Sequence, residues 1–221
     1  LACTNLVITT NGIINVDGKG YTSAPGGGAF DAPGYGPGGG ARYSQCSGGG
    51  AYGGAGAREV VNTNGRPYGQ ADQPFGPGSG GGVGWGSLGG VGGGAVRIVA
   101  SGHVVLNGTI TANGTTTSTS GGSGGSIGIA CRTLAATNGV LSANGGNGTS
   151  STFGCGGGGG RIAVAYDPAA QAAQNLTAKP MVTVSANAGS SATPYAGQPA
   201  RPGTLWFTDS GFFPGEGLQG G

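Results

Sequence analysis

Ionisable side chains are scarce in this chain of 221 residues. Nine are Lys or Arg, seven are Asp or Glu and one is His, for a formal net charge of +2. The nine cations are scattered singly, whereas nucleic-acid-binding domains cluster Lys and Arg on one surface, so no nucleic-acid partner is expected. Soluble surfaces usually carry far more charge. We therefore expect this surface to be covered by sugars, by other subunits or by both.

The same scarcity leaves few residues for catalysis. The seven carboxylates are well separated, whereas glycan cleavage needs a pair that flanks the scissile bond. His103 has no readable Ser/Asp constellation around it, and one His with four distant cysteines lacks the spacing of a zinc site. The tract Gly156 to Arg161 lacks the Gly-Lys-Ser/Thr ending of a phosphate-binding loop. The sequence predicts no enzyme, no cofactor and no metal site.

Long apolar runs and helix signals are also nearly absent. No apolar stretch approaches the roughly 20 residues of a membrane-spanning helix, so no membrane span is expected. Only Asp167 to Gln174 is typical of a short helix, with Asp167 as the N-cap and Pro168 in the first position. The chain begins with Leu1 and shows no signal peptide, so we expect it to be processed or to be a piece of a longer protein.

Glycine, in contrast, is abundant. There are 57 Gly and 12 Pro, a composition often found in disordered chains. Two Trp, seven Tyr, six Phe and several β-branched runs argue for a packed structure instead, because a solvated linker does not need them.

A two-part pattern recurs along the chain. A Gly-rich lead precedes alternating apolar residues in GGGAVRIVAS, GGSIGIACR, GGGRIAVAYD and RPGTLWFTDS, with Val96, Ile127, Ile162 and Leu205 in corresponding positions, 31, 35 and 43 residues apart. The second part is LNGTITANG, TNGVLSANGG or PMVTVSANAG, and TNGIINVDGKG is an early copy. Alternation with period two indicates short strands, and Asn-Gly supplies the positive φ of a corner.

Repeats of this length with short strands are typical of a solenoid, whose repeats stack and share one interior. We predict an all-β fold, a parallel β-helix or β-solenoid-like domain over residues 1–221, with the alternating apolar residues stacked inside. The alternative is an antiparallel β-sandwich. Residues 21–94 are predicted to be a Gly-rich insert of polyproline II-like (polyglycine II-like) segments, because Gly lets extended chains pack side by side. A disordered insert is the other possibility.

Two parts of the chain resemble known proteins. The stretches GGSGGSIGIACRTLAATNGVLSANGGNG, GCGGGGGRIAVAYD and PGTLWFTDSG resemble Gly-rich repeat regions of large secreted or cell-surface structural proteins of microbial eukaryotes and bacteria. This resemblance covers roughly residues 94–211 well and 1–20 partially. GGGAYGG in the insert more loosely resembles the glycine-rich module of receptor tyrosine kinase ectodomains. Both resemblances imply a structural or adhesive role outside the cell and bring no catalytic residues.

Four Asn-X-Thr sequons and an even number of cysteines favour a secreted, extracellular or cell-surface location. The predicted N-linked glycans lie at Asn107, Asn113, Asn147 and Asn175, mostly at corners beside strands.

The repeat also predicts a disulfide pattern. Cys3 and Cys131 occupy equivalent positions, and each is followed by a cysteine that opens a Gly tract, Cys46 or Cys155. Of the three possible connectivities, Cys3–Cys46 with Cys131–Cys155 is the symmetric one and the one predicted.

The predicted function is that of an extracellular structural protein, the subunit of a head-to-tail filament or surface appendage. No polar terminal cap is visible, and an uncovered strand edge is a template for another chain. A head-to-tail contact that does not close gives an open filament. Leu1, Trp206, Phe207, Phe212 and Phe213 are predicted to lie at the junction between subunits. Alternatively, the chain continues covalently as one stretch of a longer repeat polypeptide.

The rival function belongs to another class. A glycan- or protein-binding adhesin or receptor module would use exposed Tyr and Trp side chains of the insert as its contact surface.

Overall fold

Three parallel β-sheets form the framework of the protein. A computed structural model describes residues 1–24, 32–42, 46–58, 65–84, 86–152, 154–174, 179–193, 196–209 and 218–219. Sheet A contains, in spatial order, β1 (Ala2–Cys3), β4 (Ala95–Ala100), β7 (Ser126–Ala130), β10 (Arg161–Ala165) and β12 (Thr204–Phe207). Sheet B contains β2 (Leu6–Ile8), β5 (His103–Leu106) and β8 (Thr133–Ala135). Sheet C contains β3 (Ile13–Asn15), β6 (Thr109–Thr111), β9 (Gly139–Ser142), β11 (Val182–Ser185) and β13 (Leu218–Gln219).

The chain visits the three sheets in a constant order. Repeat 1 is β1–β3, repeat 2 is β4–β6, repeat 3 is β7–β9, repeat 4 is β10 and β11 with a helix between them, and repeat 5 is β12 and β13. Every pairing within these three sheets is parallel. The all-β prediction with parallel strands is therefore confirmed, and the antiparallel sandwich is wrong. The physical reason is that each strand pairs with its equivalent one repeat away, which short hairpin turns cannot connect.

Equivalent apolar side chains of successive repeats stack on one another. In sheet A, Val96 pairs with Ile127, which pairs with Ile162, which in turn pairs with Leu205. These residues share one apolar cluster with inward-facing residues of sheets B and C. The stacking predicted from the alternation is confirmed here. Burying each of the large aliphatic side chains contributes roughly 1.5–3 kcal/mol, and this is the main driving force for the stack.

A short helix replaces the sheet B strand in repeat 4. Helix α1 spans Pro168–Ala173, and the Asp167 carboxylate accepts from the backbone N–H groups of Ala169 and Ala170 at 3.0 and 3.1 Å. This cap and Pro168 in the first turn are as predicted. The buried Gln171 side chain then bonds to Leu134 of β8: its Nε2 donates to the carbonyl at 2.9 Å and its Oε1 accepts from the N–H at 3.0 Å. One amide side chain thus replaces the missing neighbour of edge strand β8.

We expect the variant Gln171→Ala to lower the free energy of unfolding by about 2–4 kcal/mol, because it leaves a buried N–H and a buried C=O of Leu134 without partners. Urea denaturation followed by far-UV circular dichroism measures this loss. Gln174→Ala, one turn away and exposed, is the matched control and is expected to change stability by less than about 0.5 kcal/mol. Equal effects of the two variants would contradict a capping role for Gln171.

The segment between β3 and β4 contributes no strand to the three sheets among its described residues. It forms, together with the connections between repeats, a glycine-rich layer held by backbone hydrogen bonds. The N–H groups of consecutive residues bond to different segments: Gly121 donates to Cys155, Gly122 to Thr115 and Ser123 to Ser79. After three residues the chain returns to the first of these segments, because Gly124 donates to Gly158, three residues beyond Cys155. The pattern also recurs where Gly78 and Gly81 donate to Gly93 and Gly90.

One buried arginine fastens this layer to sheet A. Arg161 in β10 donates from Nε and Nη2 to the carbonyl of Tyr68 at 2.9 and 2.8 Å, and from Nη1 to Thr204 Oγ1 at 2.9 Å. Its guanidinium carbon lies 5.4 Å from the centre of the Tyr52 ring. Burial lowers the pKa of Arg161. The cation is solvated by a carbonyl, a hydroxyl and a ring, so the insert and the sheet hold each other in place.

The disulfide joins two Gly-rich segments rather than a strand and a Gly tract. Cys46 is bonded to Cys155, 109 residues away, and both are fully buried. The predicted pairs Cys3–Cys46 and Cys131–Cys155 are therefore wrong. The insert packs directly against the tract that leads into repeat 4, as the bond from Ala57 N to the Gly156 carbonyl shows. Proximity across the layer, not equivalence in the repeat, decides the pairing.

The other two cysteines are thiols at the end of sheet A strands. Cys3 pairs with Ala100, and the register of the next pair, Val99 with Ala130, places Cys131 one strand beyond Ala100. Two strand spacings are about 9.6 Å, too far for a disulfide. Burial raises the pKa of Cys131 to about 12, so this half-buried sulfur stays a neutral thiol at physiological pH.

Candidate functional site

The candidate site is the pair of ends of the three-sheet stack. At the first end, β1, β2 and β3 are the edge strands of their sheets in this chain. Their inward-facing Cys3, Leu6, Ile14 and Val16 pack against the core but are only half-buried. In the columns that begin with Leu6 and Ile14, the next residues, Val104 and Ile110, are 1% and 0% exposed. Apart from Ile8, which is 5% exposed, the inward-facing side chains of this repeat are thus less covered by the described residues than those of the repeats in the middle.

The backbone at this end also faces outward. The carbonyls of Leu1 and Cys3 accept from Val99 and Ser101 of repeat 2. Because alternate residues of a parallel strand bond to opposite neighbours, the N–H and C=O of Ala2 point away from the stack. In β3 the backbone of Gly12 and of Val16 bonds to repeat 2. By the same alternation, the N–H and C=O of Ile13 point away from the stack. These are the groups that an added strand would pair with.

Large apolar side chains surround this edge. Leu1, Val7 and Ile13 are 68%, 61% and 67% exposed. None of the three edge strands carries a Lys, Pro or inward-facing charge, the devices by which proteins usually protect an edge strand. The amino group of Leu1 donates to the Arg97 carbonyl at 2.8 Å, so the residue before β1 is also bonded to sheet A.

The opposite end has a different surface on each sheet. On sheet A, Leu205 and Phe207 of β12 face inward and are half-buried, whereas Val164 one strand earlier is fully buried. On sheet C, β13 pairs with β11. On sheet B, α1 covers β8. Leu1, Trp206 and Phe207 of the predicted junction therefore lie at the two ends, Trp206 half-buried on the outer face of β12. Phe212 and Phe213 lie outside the described residues.

Columns of polar side chains run between the ends. Asp17 Oδ1 accepts from the N–H of Asn113, Asn113 Oδ1 from that of Asn144 at 2.8 Å, and Asn144 Oδ1 from that of Asn187 at 2.7 Å. Each side chain satisfies the backbone of the next repeat at a corner. Sequence reasoning missed this ladder, although the signal is readable, because NVDG, TANG, SANG and SANA place Asp or Asn in the same column.

The predicted glycosylation sites follow strands at corners. Asn107 is half-buried, and its Oδ1 accepts from Thr137 N and Oγ1; Asn147 is exposed, and its Oδ1 accepts from Ser190 N at 2.8 Å. Asn113 is half-buried within the ladder. In these bonds the oxygen accepts, and the nitrogen that would carry a glycan takes no part in them. Asn175 lies outside the described residues. Glycosylation stays a prediction.

The remaining residues discussed from the sequence are scattered. His103 is exposed, with Nδ1 2.6 Å from Thr133 Oγ1. Of the insert's aromatic side chains, Tyr35 and Phe75 are 50% and 51% exposed, whereas Tyr52 is fully buried beneath Arg161. Trp85 lies outside the described residues.

Comparison of the chain with protein-family models, with curated proteins and with solved structures finds no match. Among the described residues, no helix has both the length and the apolarity needed to cross a membrane.

Proposed function

We propose that this chain is a secreted structural protein, the subunit of an extracellular filament or surface appendage that grows by head-to-tail stacking of a three-sided β-solenoid. The observation that carries the proposal is the half-buried interior at both ends of a stack whose middle is fully buried. Covering those side chains with a second copy gains roughly 25 cal/mol per Å² of apolar surface.

The strand directions favour a filament over a closed ring. Repeats follow one another along one axis with all strands parallel, so a second copy placed on the end extends the stack in the same direction. Such a contact joins two different surfaces and repeats without closing. The proposed junction pairs β1 with β12 and β3 with β13 of the next subunit. Sheet B does not take part at the far end, because Gln171 already occupies the edge of β8.

The glycine-rich layer supports the same role. The three-residue recurrence of its hydrogen bonds is the symmetry of a polyglycine II-type helix, which has three residues per turn. We propose that such helices form a rigid bundle beside the solenoid. The buried disulfide fits an oxidising compartment, and the resemblance to Gly-rich repeats of secreted structural proteins points the same way.

The double variant Ala2→Pro/Ile13→Pro is expected to abolish fibres while keeping the subunit folded. Proline removes the two N–H groups that face away from the stack, so pairing with another copy loses hydrogen bonds whereas pairing within the chain does not. Negative-stain electron microscopy of the purified 221-residue chain reports fibres, and thermal unfolding reports the fold.

The matched control is Ala2→Val/Ile13→Val, which keeps both N–H groups and is expected to form fibres like the parent chain. Fibres of undiminished length in the proline variant, with an unchanged melting temperature, would show that this edge is not the junction. Discrete particles from the parent chain would contradict the filament itself.

A further inference from the structure

A groove of about 320 Å³ runs along the outer face of sheet A. Its floor consists of four small residues that lie in register: Gly128 beside Ala163 in one row, and Ala130 beside Ala165 in the next. Because outward-facing positions of neighbouring strands align, small residues at four of them leave a trough rather than a flat surface.

Two aromatic side chains, Phe75 and Trp206, lie at opposite ends of this floor. Arg97 and Trp206 occupy the same row as Gly128 and Ala163, one strand to either side. The Arg97 guanidinium lies 4.6 Å from the centre of the Phe75 ring, and Phe75 remains 51% exposed. Trp206 is half-buried. The guanidinium thus covers one face of Phe75 and leaves the ring accessible from the groove.

The insert supplies the polar side of the groove. Asp72, Gln73 and Pro74 line it together with Phe75. Pro74 is buried and lies close to the floor, since a Cβ at Gly128 would be 3.6 Å from the Pro74 carbonyl oxygen. The hydrogen bonds from Arg161 to Tyr68 hold this part of the insert on the sheet. The groove is therefore built by two segments that are distant in the sequence.

We propose that this groove binds a neutral saccharide of one or two pyranose rings. A pyranose presents a face of C–H groups, which packs on aromatic and alanine side chains, and a rim of hydroxyls, which pair with carboxylate, amide and guanidinium groups. One cation and one anion, Arg97 and Asp72, line the groove, so the charge complementarity favours a neutral ligand. The volume is that of a small-molecule site.

This site goes beyond the proposed structural role and does not depend on it. It would let the surface of the protein hold a glycan, either from its surroundings or from another molecule of the same kind. An extended Pro/Gly-rich peptide is the competing occupant, and it lacks the ring hydroxyls that would bond to the Asp72 and Arg97 side chains.

The test measures binding of cellobiose, chitobiose and mannobiose by isothermal titration calorimetry, using the variant Ala2→Pro/Ile13→Pro so that assembly does not interfere. At least one disaccharide is expected to bind. Trp206→Ala, which removes a stacking face, and Ala165→Leu, which fills the floor, should each weaken it about tenfold or more. Tyr35→Ala, an exposed aromatic of the insert outside the groove lining, is the matched control and should leave affinity unchanged.

Three outcomes would overturn the proposal. They are no binding of any disaccharide, binding unaffected by both groove variants, and preferential binding of digalacturonic acid or of a synthetic peptide with the sequence of residues 32–42. Because Ala165 lies in β10, outside the proposed junction, fibre formation by the single variant Ala165→Leu separates a failure of this site from a failure of the filament.

Discussion

The variant Gly121→Ala is expected to lose at least about 3 kcal/mol of folding stability, and Gly128→Ala to lose none. A Cβ on Gly121 would overlap the carbonyl oxygen and carbon of Gly146, far inside the 3.0 Å that real Cβ atoms keep from other atoms. The obstacle is backbone, not a flexible side chain, so the layer has to move apart. The loss combines over-packing with weakened hydrogen bonds from Gly121 to Cys155 and from Gly146 to Gly122.

Gly128 is the matched control because it is a glycine with ordinary surroundings. A Cβ there would lie 3.6 Å from its nearest neighbour, the Pro74 carbonyl oxygen. Alanine at that position restricts the unfolded chain and is expected to stabilise by about 0.4–1 kcal/mol. Urea denaturation midpoints of the two variants decide the matter. Similar midpoints would mean that the glycine-rich layer is not close-packed around Gly121.

The strands were predictable because their signal is local. Alternation in AVRIVA and SIGIA places every second residue inward, and the inward residues pair in the expected register, Val96 with Ile127 and Ile98 with Ile129. The short helix was predictable for the same reason, since Asp167 and Pro168 are its cap and first residue. The use of Gln171 as a substitute strand was not, because it depends on how α1 lies across β8.

The sequence indicated that Gly-rich segments pack closely, but not which parts of the chain belong to the glycine-rich layer. Any Gly fits a crowded position equally well. The sequence therefore does not indicate which Gly-rich segment packs against which. The tracts before β7 and β10 belong to the same layer as the insert, as the bond from Gly158 N to the Gly50 carbonyl shows. The disulfide prediction failed on this point, since it assumed that each Gly tract pairs with its own repeat.

The groove illustrates a partly readable site. Its floor follows from the sequence once the strands are aligned, because Gly128, Ala130, Ala163 and Ala165 are small residues at neighbouring outward positions. The aromatic side chain on its rim, Phe75, lies in the insert, and no periodicity connects it to Arg97. A site formed by two segments of different repeat character requires the tertiary structure.

Reduction of the Cys46–Cys155 disulfide is expected to destabilise the protein by about 4–5 kcal/mol. The two cysteines are 109 residues apart, and the chain-entropy model gives about that cost for a loop of this length. For a domain of this size the loss corresponds to a fall in melting temperature of roughly 8–20 °C. The bond joins the insert to the tract preceding repeat 4, so the glycine-rich layer should loosen before the three sheets do.

The variant Cys46→Ser/Cys155→Ser tests this expectation without a reductant, and thermal unfolding with and without dithiothreitol tests it on the parent chain. Cys3→Ser/Cys131→Ser is the matched control: it keeps the disulfide, and its melting temperature should fall with dithiothreitol as far as that of the parent. The first variant should be insensitive to dithiothreitol, because it has no disulfide left to reduce. A parent chain whose melting temperature ignores the reductant would contradict a stabilising Cys46–Cys155 disulfide. A control that becomes insensitive to the reductant would indicate instead a pairing that involves Cys3 or Cys131.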